Sequence, residues 1–519
     1  MLKVAKEWIA TLNASVSSKP TLIESLFFKE GFYRDFLILQ WDFRTIQGAK
    51  QIGLYFAMHR DVIFKVQKDR KVSIHHILGV DTLQVFLECE TPIGRGRGMV
   101  RLILDSDGKW KGYALFAALH ELKRHEEELR STRPRGVEHG QHIGRKNWKE
   151  QRAIQENFEQ DDPKVVILGA GQGGLTVAAR LGMLKVPCLI VERNPRIGDN
   201  WRNRYRSLVL HDPVWYDHMP YMKFPDHYPI FCPKDKLADW FETYASSMEL
   251  NVWTSTNLDS SHFDEQNQQW TLTVTRSDGS KRTLRPKHVV LASGHSGEPN
   301  IPHFPGQEGF QGSYFGHSSK WPGATDGKGK KAIVVGCCNS AHDIAQAYYE
   351  NGADVTLVQR SSTFVISSDG VTEGFLAGFY EENGPDVEDA DVMFFSIPTP
   401  LLQSMHVKQT KWLEEKDAAI QSGLTKAGFK INTGYNDSGL TILYFRRGGG
   451  YYIDVGASSL IADGKIKVKQ GQEIKRVLSN GLEFADGTQI EANEVVLATD
   501  KSFIHTSLLI KFTICEYAD

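Results

Sequence analysis

Val165-Val166-Ile167-Leu168 runs into Gly169-Ala170-Gly171-Gln172-Gly173-Gly174. Leu175-Thr176-Val177-Ala178-Ala179-Arg180-Leu181 follows, and Cys188-Leu189-Ile190-Val191 stops at Glu192. Residues 164–192 therefore read as strand, tight turn, helix and strand. Gly169 permits the turn, Gly171 lets backbone approach a pyrophosphate, and Gly174, next to Gly173, lets helix and strand pack closely. Helix-terminal N–H groups then face the phosphates with the positive end of the dipole behind them. Glu192, about twenty residues past the turn and followed by Arg193, stands where an acid accepts hydrogen bonds from a ribose. A glycine pattern alone is weak evidence. Flanked by strand and helix, with the acid at this distance, it outweighs the bland alternative of a glycine-rich turn that binds nothing.

A second unit of the same kind is Ile333-Val334-Val335-Gly336-Cys337-Cys338-Asn339-Ser340-Ala341. The opening glycine is kept, and the small Cys338 and Ala341 stand where later glycines are usual. The next strand, Val355-Thr356-Leu357-Val358, ends in Gln359-Arg360-Ser361-Ser362 with no acid. Arg360 and the hydroxyl of Ser361 suit a ribose 2′-phosphate, which favours NADPH over NADH. Adjacent Cys337 and Cys338 are not expected to form a redox pair, because a disulfide between neighbours is strained.

At 519 residues the chain holds two or three domains. Its 41% hydrophobic and 24% charged residues are an ordinary globular balance. A formal charge of −2 supplies no bulk field for nucleic acid or an anionic membrane. No apolar run reaches the length of a membrane span, and the first residues do not read as a signal peptide. Six cysteines without C-x-x-C or zinc-ligand spacing point to a reducing compartment and to no metal. A cytoplasmic enzyme is the expectation.

Before the first glycine loop, Leu2, Ala5, Trp8, Ile9 and Leu12 recur at helical spacing. A second helical stretch surrounds Ile52, Tyr55 and Phe56, and strands are expected at 72–78, 83–89, 99–104 and 113–119. Helices followed by a curled antiparallel sheet resemble the NTF2/SnoaL-like cone, whose pocket Trp41, Asp42 and His59 would line. Core aromatics and solvated polar residues are the plainer reading of those three. Residues 123–162 are polar and charge-dense, as a linker or surface helix is.

Past Glu192 come Gly198-Asp199-Asn200-Trp201, then Tyr205-x-Ser207-Leu208, Leu210-His211-Asp212-Pro213, Phe224-Pro225, Tyr228-Pro229 and residues 234–245. This series resembles the group B flavin-containing monooxygenases, and within them the indole-3-pyruvate (YUCCA-type) branch. The resemblance runs from about residue 163 to residue 499. Val289-Val290-Leu291-Ala292-Ser293-Gly294 resembles the family's exit from the first nucleotide domain, and Asn339-Ser340 its second loop. Phe310-x-Gly312 and His317-x-x-x-Trp321 resemble its fingerprint, with one residue more between Gly312 and His317 than is usual. His317 either keeps the family position or sits in a surface loop. Glu494-Val495-Val496-Leu497-Ala498-Thr499 is the family's second exit strand, but Asp500-Lys501 replaces the usual pair. The tail beyond fits nothing, as a truncated chain would not.

The resemblance implies an α/β fold with two Rossmann-like dinucleotide-binding domains, preceded by the NTF2/SnoaL-like α+β domain. The expected limits are 1–122 for that domain, 123–162 for the linker and 163–308 for the first part of the FAD-binding domain. Residues 309–440 are expected to form the NADP-binding domain with an insertion, 441–500 the return to the FAD-binding domain, and 501–519 an atypical tail. FAD belongs in the first cradle (Gly169, Gly171, Gly173, Gly174, Glu192, Arg193, Gly198, Asn200, Trp201) and NADPH in the second (Gly336, Asn339, Ser340, Arg360, Ser361). The implied reaction is oxygenation of a small organic substrate by dioxygen through a flavin hydroperoxide. His211 falls where the family has a polar residue beside the flavin. It would act as a catalytic hydrogen-bond donor, with Asp212 the alternative, or merely pack below the ring. An NADPH oxidoreductase without oxygenation, or an inactive truncated homologue, are the other readings.

Overall fold

Strands Val165–Leu168 and Cys188–Val191 are buried at every position, the mark of parallel strands covered on both faces. They form the centre of a four-stranded parallel sheet in the order 252–253, 188–191, 165–168, 288–291. Between them, helix Gln172–Met183 lays Gly174, Leu175, Ala178 and Ala179 against the sheet. Helix Lys234–Ser247 turns Leu237, Trp240, Phe241 and Tyr244 to the same apolar cluster. A second, five-stranded parallel sheet has the order 314–317, 494–497, 331–335, 354–359, 466–470. Helix Asn339–Glu350 packs on it through Ala341, Ile344, Ala345 and Tyr348. The α/β expectation with two dinucleotide-type sheets is met.

The computed structural model describes residues 1–18, 22–77, 79–136, 139–294, 298–499, 501–502 and 512–513. Most of the tail that fitted no pattern thus lies outside the described residues. The chain divides into two compact units. One comprises Met1–Glu127, Thr372–Trp412 and Tyr435–Ile442; the other comprises Glu128–Val371, Leu413–Gly434 and Leu443–Asp519. Both parallel sheets belong to the latter.

The first unit holds helices Leu2–Ser18 and Ala49–Met58 and a seven-stranded sheet. Its order is 43–47, 27–36, 110–122, 94–104, 80–90, 63–66, with 73–77 also paired to 80–90. Only the pairing of 27–36 with 110–122 is parallel. Ala5, Trp8, Leu12 and Val16, spaced along one helical face, pack with Leu83, Val85, Leu87, Val100, Leu102 and Leu115 from one face of the sheet. Strands 27–36 and 43–47 were not expected, because neither alternates cleanly. Trp41 and Asp42 do not line a pocket: Trp41 is 67% exposed, and Asp42 caps the Phe43 N–H and pairs with Arg44.

The other sheet face carries Arg97, Met99, Arg101, Phe116, Arg34 and Phe36, and the inserted stretch covers it. Val392 of helix Val387–Phe395 joins Met99 and Phe116. Asp389 in that helix's first turn pairs with both Arg70 and Arg97. Arg101, 1% exposed, donates to the Ser396 hydroxyl (2.6 Å) and the Met393 carbonyl (3.0 Å). Arg34 donates to the carbonyls of Phe395 (2.7 Å) and Ile397 (2.6 Å). Residues 372–412 and 435–440, expected within 309–440, and 441–442, expected to open the 441–500 segment, therefore fall in the same unit as the N-terminal residues. An arginine reads as a solvated residue in sequence, and only the fold shows four of them gripping one segment.

Within the stretch 123–162 the surface-helix alternative is found. Helix Trp148–Asn157 buries no side chain and is held by hydrogen bonds instead. Trp148 Nε1 donates to Glu249 (2.8 Å), Arg152 to Asn251 (2.9 Å), and Trp253 Nε1 to the Glu156 carbonyl (2.8 Å). A polar helix docked this way leaves no apolar periodicity to read.

Candidate active site

The first glycine loop is fixed by collisions that side chains would create. Gly169 has φ +113°, and a Cβ there would lie 2.6 Å from the Ala292 carbonyl oxygen, where the 288–291 strand ends. A Cβ at Gly174 would lie 1.9 Å from the Gly169 carbonyl oxygen. Gly173, by contrast, faces open space, and a Cβ at Gly171 would meet only Asn200 Nδ2, at 3.5 Å. The loop is thus pinned on its protein side and open on the other. Glu192, 7% exposed, braces it: Oε2 accepts from the Ala170 N–H (2.7 Å) and Oε1 from the Asn194 N–H (2.8 Å). Each oxygen keeps a lone pair. Arg193 and Asn200 are exposed beside it. Gly198, at φ +87° and pressed on the Ala238 backbone, opens the short helix Asp199–Arg202. The indole Nε1 of Trp201 is buried with no hydrogen-bond partner among the described residues.

The second loop repeats the arrangement. Gly336 has φ +137°, and a Cβ would lie 2.4 Å from the Ala498 carbonyl oxygen. Cys338 caps helix Asn339–Glu350 in extended conformation. Asn339 Oδ1 accepts from the Ile453 N–H (2.9 Å), and Ser340 hydrogen-bonds Tyr205. Arg360 and Ser361 stand exposed where strand Asp354–Gln359 ends, the carboxyl edge at which open parallel sheets take ligands. Cys337 Sγ accepts from the Thr363 hydroxyl at 3.0 Å. A hydrogen bond from Cys338 lowers the Cys337 thiol to about 7, against the opposing pull of burial and with help from Thr363, Gln359 and Arg360.

His211 joins the two halves. It is 8% exposed, and Nε2 lies 3.3 Å from Oδ2 of Asp343 on helix Asn339–Glu350. The Tyr205 hydroxyl donates to the same oxygen at 2.5 Å. Nδ1 of His211 is sealed from solvent with no partner in hydrogen-bond geometry among the described residues. Burial alone would lower its pKa. The hydrogen bond and charge of Asp343, the charge of Asp212 and the Ile453 backbone outweigh it, and the net shift is upward. Burial raises Asp212 against the charge of His211. Asp217 is pushed well above the carboxylate range by burial and then by Asp212, and its Oδ2 is buried without a partner among the described residues. The sequence reading missed Asp343 and Asp217. Asp343 lies one helical turn past Asn339, so the face of that helix was the available clue.

His317 is not in a surface loop. It is buried, with Nε2 3.1 Å from the Thr499 carbonyl oxygen and Nδ1 2.9 Å from the Ser319 hydroxyl. It pins the end of strand Glu494–Leu497. Among the described residues no helix is long and apolar enough to cross a membrane, and no cluster of His, Cys, Asp or Glu could hold a metal ion.

Residues 166–372 match the family described as pyridine nucleotide-disulphide oxidoreductase. Indole-3-pyruvate monooxygenase YUCCA1 of Oryza sativa subsp. japonica is 29% identical over 347 residues, covering 66% of this chain and 78% of its own. The probable indole-3-pyruvate monooxygenase YUCCA3 of Arabidopsis thaliana is 30% identical over 344 residues, 64% and 72% of the two chains. Among solved structures, an oxidized steroid monooxygenase bound to NADP superposes with TM-score 0.50 at 17% identity, covering 67% of this chain and 73% of that one. An OTEMO complex with FAD and NADP gives TM-score 0.50 at 14% identity, over 69% and 75%. With the two glycine loops standing at the ends of two parallel sheets, these likenesses establish that the chain belongs to the group B flavin-containing monooxygenases, alongside the YUCCA-type indole-3-pyruvate monooxygenases.

Proposed function

We propose that the protein is an FAD- and NADPH-dependent monooxygenase that uses dioxygen to oxygenate a small organic substrate. The observation that carries this reading is the pair of glycine loops within one compact unit, bridged by His211 and Asp343. The first loop fits FAD: Gly171 and Gly173 leave room for a pyrophosphate, Glu192 keeps lone pairs for a ribose, and Trp201 offers an unpartnered N–H. Gly169, Gly174 and Gly198 shape this cradle, with Arg193 and Asn200 at its rim. The second fits NADPH: Gly336 opens the turn, Asn339 and Ser340 begin the helix, and the exposed Arg360 with Ser361 would hold the 2′-phosphate.

When bound, FAD supplies the acceptor for the nicotinamide hydride and the centre at which dioxygen reacts. The chain's own residues exclude water and fix orientation. Burial disfavours protonated His211, and Asp343 with the charge of Asp212 more than offsets it. Because the relatives bear the name of indole-3-pyruvate, aromatic 2-oxo acids are the first substrates to try. The test loads the protein with FAD, follows bleaching at 450 nm with NADPH under anaerobic conditions, then admits air with a candidate 2-oxo acid, amine or sulfide. Bleaching followed by an oxygenated product supports the proposal. Bleaching that returns hydrogen peroxide alone with every candidate indicates an oxidoreductase without oxygenation, and no bleaching overturns both.

A further inference from the structure

The His211 ring is held through Nε2 by a side chain from a distant element. Its Nε2 meets Asp343, which lies on the helix that begins the second nucleotide loop, while His211 itself lies on the segment that follows the first. Asp343 Oδ2 also takes the hydroxyl of Tyr205, from the same segment as His211. One carboxylate oxygen thus gathers two side chains separated from it by more than a hundred residues in sequence. The carboxylate itself is nearly enclosed. A carboxylate so placed selects the ring orientation and favours a proton on Nε2. Nδ1, buried on the other side of the ring, is the nitrogen that Asp343 does not touch.

We propose that Asp343 is a positioning residue of the reaction. Acting through His211, it fixes the orientation and tautomer of the imidazole and ties the segment after the first nucleotide loop to the helix of the second. This rests on the monooxygenase reading above. Four other groups act on His211: Asp212 favours its charge, Tyr205 competes for Asp343 Oδ2, His342 on the same helix as Asp343 opposes the charge, and the Ile453 backbone supports it. Asp343 is the side chain among them that hydrogen-bonds the ring.

The test uses full-length holoenzyme with labelled histidine and follows the His211 resonance against pH by NMR, assigned with His211→Gln. Asp343→Asn keeps the shape and removes the charge, so the His211 midpoint falls by about one pH unit or more. Tyr205→Phe frees Oδ2 for the imidazole, so the midpoint rises. Asp343→Glu restores part of the loss. In parallel, Asp343→Asn shifts the alkaline limb of the pH profile for coupled NADPH use downward, while anaerobic flavin reduction by NADPH in the same variant marks whether the second cradle still works. A midpoint that moves in neither Asp343→Asn nor Tyr205→Phe overturns the proposal. If Asp343→Asn fails to fold, Tyr205→Phe decides alone. Wild-type enzyme whose flavin NADPH cannot reduce would instead sink the monooxygenase reading, independently of the NMR result.

Discussion

The imidazole of His342 lies flat on the ring of Tyr452, centroids 3.6 Å apart and planes 3° from parallel. Burial lowers its pKa to about 4, and His406, buried against Phe375 in the other unit, is likewise lowered to about 4. In the unfolded chain both take a proton near pH 6.5. Stability is therefore complete above pH 6.5 and lost as pH falls towards 4, by about 3 kcal/mol for each histidine. His211, raised, works the other way: its contribution is full below pH 6.5 and fades as pH rises through its folded value. Urea titrations between pH 7.5 and 4.5 are expected to show a steep acid loss, reduced in His342→Phe, which retains the stack.

Gly174→Ala and Gly173→Ala separate folding from cofactor binding. A Cβ at Gly174 collides with the Gly169 carbonyl, so the variant loses about 3 kcal/mol in urea titration. A Cβ at Gly173 meets nothing. That variant keeps its stability, with alanine the better helix former, yet binds FAD at least about tenfold more weakly, a loss of about 1.4 kcal/mol. Flavin fluorescence reads the second effect and circular dichroism the first.

In the first unit, Asp389→Ala removes the carboxylate shared by Arg70 and Arg97 and is expected to lower the melting temperature. Arg101→Met is nearly neutral, because Arg101 has no carboxylate partner among the described residues and burial already lowers its guanidinium to about 9. Thermal unfolding of the two variants should rank them in that order despite the deeper burial of Arg101.

Cys337 is expected to react first with iodoacetamide at pH 7.5, since its thiol sits near 7. Burial holds Cys188 and Cys232 at about 11 and Cys89 at about 12. Peptide mapping by mass spectrometry after brief labelling should find the adduct on Cys337 well ahead of those three, and NADPH should protect it.

Arg360→Ala tests the nicotinamide preference. A charge-assisted contact to the 2′-phosphate is worth about 1.5–3 kcal/mol, so KM for NADPH rises at least about tenfold. KM for NADH, which lacks that phosphate, stays close to wild type.

The nucleotide loops were legible because glycine is dictated by local backbone: φ at Gly169 and Gly336 and the contact at Gly174 leave no other residue. Parallel strands were legible as unbroken apolar runs. Asp343 was not, since an acid on a helix looks solvated until the fold brings His211 to it. Nor was the cover over the N-terminal sheet. Strand Gly94–Leu104 is buried almost continuously from Gly98 to Ile103, including Arg101, and only contact with residues some 290 positions away explains it. His317 was read as either keeping the family position or lying in a surface loop, and its burial against the main chain at Thr499 excludes the loop.

The backbone passes between the two units five times, after Glu127, Val371, Trp412, Gly434 and Ile442. Heredity can therefore treat the amino-terminal portion as no detachable accessory: a gene split after codon 127 would bare a sheet in one product and orphan its cover in the other. The fragments of such a split should regain order only when expressed together.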